Sequence, residues 1–128
     1  MARARARICE TRYRVALKAG HHDLVADESA ALNGQDAGPA PYELLLSALG
    51  ACTAITLKMY AERKAWSLEG LEVSLLYARP EGVEQIERTL TLEGPLDEAQ
   101  RARLAEIAER TPVTLTLKGG LPIHTRLT

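Results

Sequence analysis

The segment over residues 41–64 constrains the fold most, because it is the longest stretch with a helical pattern. Small and apolar residues recur in it at spacings of three and four: Leu45, Ala48, Leu49, Cys52, Ile55, Thr56 and Met59. Pro41 suits the first turn of a helix, so the pattern predicts one long core helix. In a chain of 128 residues, so apolar a helix needs cover on more than one side, which makes a homodimer a reasonable hypothesis.

Strand patterns lie on both sides of this helix. Residues 2–26 alternate with period two and predict an antiparallel meander of three strands, followed by a loop over residues 27–40. Residues 71–78 and 84–93 alternate likewise and predict a hairpin.

The remainder of the chain predicts one more helix and one more strand. Asp97 is a plausible N-cap for a helix that runs to about Arg110. After a turn at Gly119 and Gly120, residues 121–127 are expected to form the last strand. The order βββ-α-ββ-α-β predicts a single α+β domain over residues 1–128, with an antiparallel sheet and the helices on one side.

Composition argues against several classes of partner. The formal net charge is −1 and there is no Phe and only one Trp, which disfavours a nucleic-acid platform. Arg3, Arg5 and Arg7 share one strand face, and a solvated face is the favoured reading over phosphate contacts. No apolar run is expected to span a membrane and no secretory signal is recognised, so a cytoplasmic location is expected.

No metal or cofactor site is predicted. The adjacent His21 and His22 would point to opposite faces of a strand, which disfavours a metal site. His124 is a lone histidine on the expected last strand. The chain contains no P-loop, dinucleotide-binding glycine pattern or nucleophile elbow.

The two cysteines, Cys9 and Cys52, are too few for a disulfide framework, so either would act as a reduced thiol. On the helical stripe, Cys52 is either a small buried hydrophobe or a nucleophile. It lies too far into its helix for the helix dipole to help much, and the nearest carboxylate in sequence, Glu43, falls on the opposite side of the helix. Any activation of Cys52 must therefore come from another element.

The segment Gly-Pro-Ala-Pro-Tyr-Glu-Leu-Leu-Leu-Ser-Ala-Leu-Gly-Ala-Cys-Thr-Ala, over residues 38–54, resembles the OsmC/Ohr family of osmotically induced and organic hydroperoxide resistance proteins. Further stretches fall in the same order and spacing: Met59-Tyr60-Ala61, Leu68-Glu69-Gly70, Ile86-Glu87-Arg88 and Leu104-Ala105-Glu106-Ile107-Ala108. The resemblance implies the OsmC-like α+β fold as an intertwined homodimer, with two active sites at the subunit interface.

The resemblance also implies a chemistry. Family enzymes reduce hydroperoxides with a first cysteine, matched here by Cys52, which becomes a sulfenic acid and condenses with a second cysteine. That second cysteine stands in a Cys-Pro-Val-His pattern, which here reads Thr111-Pro112-Val113-Thr114. A threonine hydroxyl forms no disulfide, so the usual cycle cannot run at this position. Cys9 replaces the missing cysteine only if a dimer brings it within about 4.5 Å of Cys52, Cβ to Cβ.

The family also uses an arginine from the first strands and a glutamate near the helix start to hold the thiolate. The resemblance assigns the arginine to Arg12 or Arg14, with a lean to Arg12. The glutamate position falls on Tyr42, with Glu43 one residue later.

Two functions follow from the resemblance. One is a hydroperoxide reductase that acts through Cys52 alone and is recycled by an external thiol reductant. The other is a degenerate family member that binds a small apolar or thiol-reactive ligand at the dimer interface without turnover. Neither needs a cofactor, a nucleic acid or a membrane.

Overall fold

The computed structural model describes all 128 residues, Met1–Thr128. It has two compact units, Met1–Leu45 and Leu46–Thr128, which are described in turn. The expectation of one domain over residues 1–128 stays a prediction.

The first unit holds a three-stranded antiparallel meander. Its strands β1, β2 and β3 comprise Ala4–Ile8, Val15–Ala19 and His22–Ala26 and lie in that order in the sheet. Gly20 makes the tight turn between β2 and β3 with a φ of 61°, a conformation that costs glycine little. The predicted meander is confirmed.

The loop that follows the meander is organised by one buried carboxylate. Asp27 is 3% exposed, and its side chain accepts the backbone N–H groups of Glu28, Gln35 and Ala37 at 2.7, 3.2 and 3.1 Å. Burial by itself raises the pKa of Asp27, but these three donors and nearby Arg14 together lower the pKa below its ordinary value. The loop thus depends on Asp27 being ionised.

The long helix α1 comprises Pro41–Arg63 and belongs to the second unit from Leu46 onward. The elements after it are a hairpin and two helices: β4 (Gly70–Ala78), β5 (Gln85–Glu93), α2 (Glu98–Ala108) and α3 (Pro112–Gly119). Asp97 caps α2 as predicted, since its side chain accepts the Gln100 N–H while the Gln100 side chain accepts the Asp97 N–H. The α+β class with antiparallel pairing is confirmed.

The core of the second unit lies between α1, the β4–β5 hairpin and α2. Leu57 and Leu104 are completely buried and pack with Ala108. Partly buried side chains surround them: Tyr60, Trp66, Leu71, Leu90, Leu92, Leu96 and Ile107. The inward residues of β5 alternate with exposed ones, as expected of a strand with one covered face.

The buried stripe of α1 differs from the predicted one. The buried residues are Leu49, Thr53, Leu57 and Ala61, each four positions after the last. Ile55 and Met59, predicted to face the core, are 54% and 56% exposed. Within one chain, the layer formed by the hairpin and α2 covers a single narrow face of the helix, so the predicted wider stripe is only partly buried.

The apolar character of α1 also bears on the membrane expectation. Contrary to the expectation from the sequence, α1 is long and apolar enough to cross a membrane. Of its most apolar stretch of 18 residues, 28% is buried. Core helices of water-soluble proteins share this length and composition, so α1 by itself does not indicate a membrane span. The expectation of no membrane partner stays a prediction.

The predicted last strand is wrong. Residues 112–119, for which the sequence pattern predicts no element, form the helix α3, which begins at the N-cap Thr111 with Pro112 in the first helical position. Residues 121–127 form no strand, because no other segment of this chain pairs with them. Leu121, Ile123 and Leu127 are consequently exposed.

We expect Leu104→Ala to lower the free energy of unfolding by about 2–5 kcal/mol, because it leaves a cavity where a side chain is completely buried. Urea denaturation followed by circular dichroism measures this change. The control Leu76→Ala, at a position 57% exposed, should change the free energy by less than about 0.5 kcal/mol. Equal effects of the two variants would contradict the described core.

We expect Asp27→Asn to destabilise the protein at neutral pH, with a deficit that shrinks as the pH falls. The lowered pKa means that ionised Asp27 adds stability above its unfolded pKa, about 3.9, and that this stability is lost as pH falls through the folded value. Urea denaturation at pH 7 and pH 3 measures both arms, with exposed Asp23→Asn as the control. A deficit of the same size at both pH values would refute this role.

Candidate functional site

Cys52 is partly exposed on α1, beside the buried Thr53. Its Sγ accepts a hydrogen bond from the backbone N–H of Val113, with 3.5 Å between the nitrogen and the sulfur. The two residues are 61 positions apart in the chain. Any activation of Cys52 is expected to come from another element, and the element that contacts its thiol is the start of α3.

The start of α3 leaves this N–H free for the sulfur. Val113 is the second helical residue, and the first N–H groups of a helix have no partner within it. An N-cap threonine usually accepts such an N–H, but the Thr111 side chain makes no capping bond. Its hydroxyl is instead 2.6 Å from that of Thr114, so the Val113 N–H is directed to Cys52.

Thr111 and Thr114 are thus brought together, and both are buried, at 0% and 5% exposed. Thr114 also lies 3.4 Å from the Ala108 carbonyl, which its hydroxyl reaches as a donor. No buried side-chain polar atom lacks a partner. The positions at which the resemblance expects a cysteine and a histidine are therefore occupied by a satisfied hydroxyl pair.

A guanidinium holds this pair in place. Arg88 Nη1 donates to Thr53 Oγ1 at 3.0 Å and to Thr114 Oγ1 at 2.8 Å. Its Nη2 donates to the Ala108 carbonyl at 2.8 Å. One side chain from β5 thus connects α1, the end of α2 and the first turn of α3.

Arg88 was not predicted as a site residue, although the sequence carries a signal for it. It occupies an inward position of β5, in phase with Ile86, Leu90 and Leu92. An arginine in the apolar phase of an alternating strand needs buried acceptors. This position in the alternation predicts an inward-facing guanidinium, but it does not predict which groups accept its hydrogen bonds.

The charge of Arg88 is offset nearby. Its Nη2 lies 3.6 Å from the Glu109 carboxylate, which also accepts a hydrogen bond from Lys118 Nζ at 2.9 Å. The bond and charge of Lys118, with a smaller effect of Arg88, lower the pKa of Glu109 despite its partial desolvation. Arg88 and Lys118 therefore share the ionised Glu109 carboxylate.

The remaining predicted residues lie in the first unit. Arg12 is in the turn between β1 and β2, where its Nη1 donates to the Asn33 carbonyl at 3.4 Å. Glu43 accepts the Ala40 N–H at 2.8 Å and so stabilises the start of α1. Cys9 is exposed. The roles of Arg12, Glu43 and Cys9 at Cys52 stay predictions.

No group of three or more His, Cys, Asp or Glu side chains is placed to hold a metal ion. What the arrangement offers is one accessible thiol, one backbone N–H donor directed at it, and hydroxyls in place of a second thiol. It can stabilise negative charge or a polar oxidation product on Cys52 Sγ. It cannot close a disulfide to Thr111.

Comparison with known proteins decides the family. The family model described as OsmC-like protein matches residues 34–126. The chain belongs to this family. The comparison with curated proteins finds no match.

Solved structures of OsmC-like proteins share the fold. The OsmC-like protein of Mycoplasma pneumoniae is 20% identical with a TM-score of 0.79, over 93% of this chain and 88% of that one. The organic hydroperoxide resistance protein OsmC of Legionella pneumophila is 19% identical with a TM-score of 0.69, over 93% and 90%. The organic hydroperoxide resistance protein OhrB of Bacillus subtilis is 20% identical with a TM-score of 0.64, over 93% and 91%.

Proposed function

We propose that this OsmC-like protein is a hydroperoxide reductase that acts through Cys52 alone and is recycled by an external thiol. The observation that carries the proposal is the hydrogen bond from the Val113 N–H to the partly exposed Cys52 Sγ. The donor at the start of α3 orients the sulfur, and the thiolate that reacts with a hydroperoxide is the nucleophilic form of cysteine. The names of the Legionella and Bacillus structures, both organic hydroperoxide resistance proteins, agree with this chemistry.

The proposed cycle has three steps. The Cys52 thiolate attacks one oxygen of the hydroperoxide, the O–O bond breaks, and the leaving alkoxide takes a proton to give an alcohol. Cys52 is then a sulfenic acid, two electrons more oxidised than the thiol. One external thiol displaces water to form a mixed disulfide, and a second thiol releases Cys52 and leaves as the external disulfide. A reducing cytoplasm would supply such thiols.

The second candidate is a family member without turnover that binds a small apolar or thiol-reactive ligand. The observation that favours it is that Thr111 and Thr114 are both buried and are hydrogen-bonded within the Arg88 network. A site in which a buried threonine stands at the position of the second cysteine can bind a ligand without a catalytic cycle. The two candidates differ in the reactivity of Cys52, which is directly measurable.

We expect cumene hydroperoxide to oxidise Cys52 in the folded protein at least about tenfold faster than in the urea-unfolded chain, since only the fold supplies the Val113 donor. Stopped-flow kinetics and mass spectrometry of trapped sulfenic acid measure this. Cys9→Ala should retain the fast reaction and Cys52→Ala should lose it. Equal rates in folded and unfolded protein would reject the reductase and favour the ligand-binding candidate.

We also propose that two copies pair over the exposed apolar face of α1. Ile55 and Met59 are four positions apart, so they lie on one helix face, and Cys52 lies on the same side. Both are more than half exposed, and a single copy leaves this face without cover. Burial against a second copy would remove the apolar surface from water and place the partner next to Cys52.

We expect Ile55→Asp to shift the protein from dimer to monomer, because it would bury an unpaired carboxylate in the proposed interface. Analytical ultracentrifugation over a range of concentrations measures the shift. Val83→Asp, at a position 66% exposed in the hairpin turn, is the control and should leave the mass unchanged. A wild-type protein that sediments as a monomer at all concentrations would exclude the dimer.

A further inference from the structure

The first turn of α3 is fixed from three directions. Thr114, its third residue, accepts from Arg88 Nη1 at 2.8 Å, approaches the Ala108 carbonyl at 3.4 Å and contacts the Thr111 hydroxyl at 2.6 Å. Arg88 is itself held by Thr53 and Ala108 at 3.0 and 2.8 Å. The Arg88 side chain is only 13% exposed, so water competes little for these bonds.

The same turn carries the donor to the thiol. Val113 precedes Thr114 directly, and the direction of its N–H follows from the orientation of this turn. The bond to Cys52 Sγ, at 3.5 Å, depends on the direction of the N–H, so a rotation of the turn would weaken it. Whatever fixes Thr114 therefore fixes the donor on Cys52.

We propose that Arg88 and Thr114 are positioning residues that hold the Val113 N–H on Cys52 Sγ. Thr111 and Thr114 then fix the position of the donor to the thiol, at the two positions where the family pattern has a cysteine and a histidine. This inference deepens the proposed function, because it names the residues that make Cys52 reactive. It concerns the thiol itself and holds for any electrophile that reaches Cys52.

The action is geometric because the hydrogen bonds of Arg88 run to Thr53, Thr114 and the Ala108 carbonyl, and Glu109 offsets part of its charge. Glu109 accepts from Lys118 at 2.9 Å and lies 3.6 Å from Arg88. Arg88 directs Nη1 to Thr53 and Thr114 and Nη2 to the Ala108 carbonyl. Lysine has a single nitrogen and cannot reproduce this fork, so its charge alone would not replace arginine.

The test compares Thr114→Val with Thr114→Ser in a Cys9→Ala background, so that Cys52 is the single thiol. Valine keeps the shape but removes the hydroxyl, whereas serine keeps the hydroxyl. We expect iodoacetamide to alkylate Cys52 about tenfold more slowly at pH 7 in the valine variant, with its pH profile moved to higher pH. The serine variant should stay within about twofold of the Cys9→Ala protein.

Arg88→Lys extends the test and guards against a valine variant that fails to fold. We expect it to slow alkylation like Thr114→Val, although it keeps the positive charge. All rates are measured on protein shown to be folded by circular dichroism and thermal unfolding. If Thr114→Val and Arg88→Lys are less stable but alkylate with unchanged rate and pH profile, the two residues are structural only and the inference is overturned.

The outcome separates this inference from the proposed function. Alkylation by iodoacetamide requires no hydroperoxide turnover. Slow hydroperoxide oxidation of the wild-type protein, together with variant-sensitive alkylation, would reject the reductase and leave the positioning role in place. Fast oxidation with variant-insensitive alkylation would reject the positioning role and leave the reductase in place.

Discussion

The second unit depends on the hydrogen bonds of the largely buried Arg88 guanidinium. A charge placed among helices is tolerated only if its donors find acceptors, and Arg88 finds Thr53, Thr114 and the Ala108 carbonyl. These acceptors belong to α1, the start of α3 and the end of α2. Satisfying one side chain therefore fixes how three helices meet beside Cys52, and this requirement places α3 where its first turn reaches the thiol.

A hydroxyl pair that takes part in this network stands where the family pattern has a cysteine and a histidine. Thr111 and Thr114 are small, uncharged and able to donate and accept at once, so they complete the Arg88 network without leaving a polar atom unpaired. A hydroxyl takes no part in disulfide chemistry, so oxidation at Cys52 has no partner at position 111. The site holds the Cys52 thiol and its backbone donor, with no second thiol at position 111.

The long helix α1 joins the site to the proposed assembly. Its buried stripe of Leu49, Thr53, Leu57 and Ala61 anchors it to the hairpin and α2. Cys52 lies at the edge of that stripe, between the covered face and the face that exposes Ile55 and Met59. The thiol is therefore close to the core on one side and to the proposed partner on the other, which suits a small apolar substrate or ligand.

The sequence by itself determined the meander, the long helix, the hairpin and the capping of α2 by Asp97, because alternation, helical spacing and caps are set by near neighbours. The family resemblance, and not the spacing, singled out Cys52. Only the tertiary structure decided which stripe of α1 is buried, that α3 forms while the expected last strand does not, and that Arg88 is the central side chain. These features rest on contacts 20 to 61 residues apart in the chain. Periodicity gives the inward phase of Arg88, but its acceptors exist only once α1, α2 and α3 have packed around it.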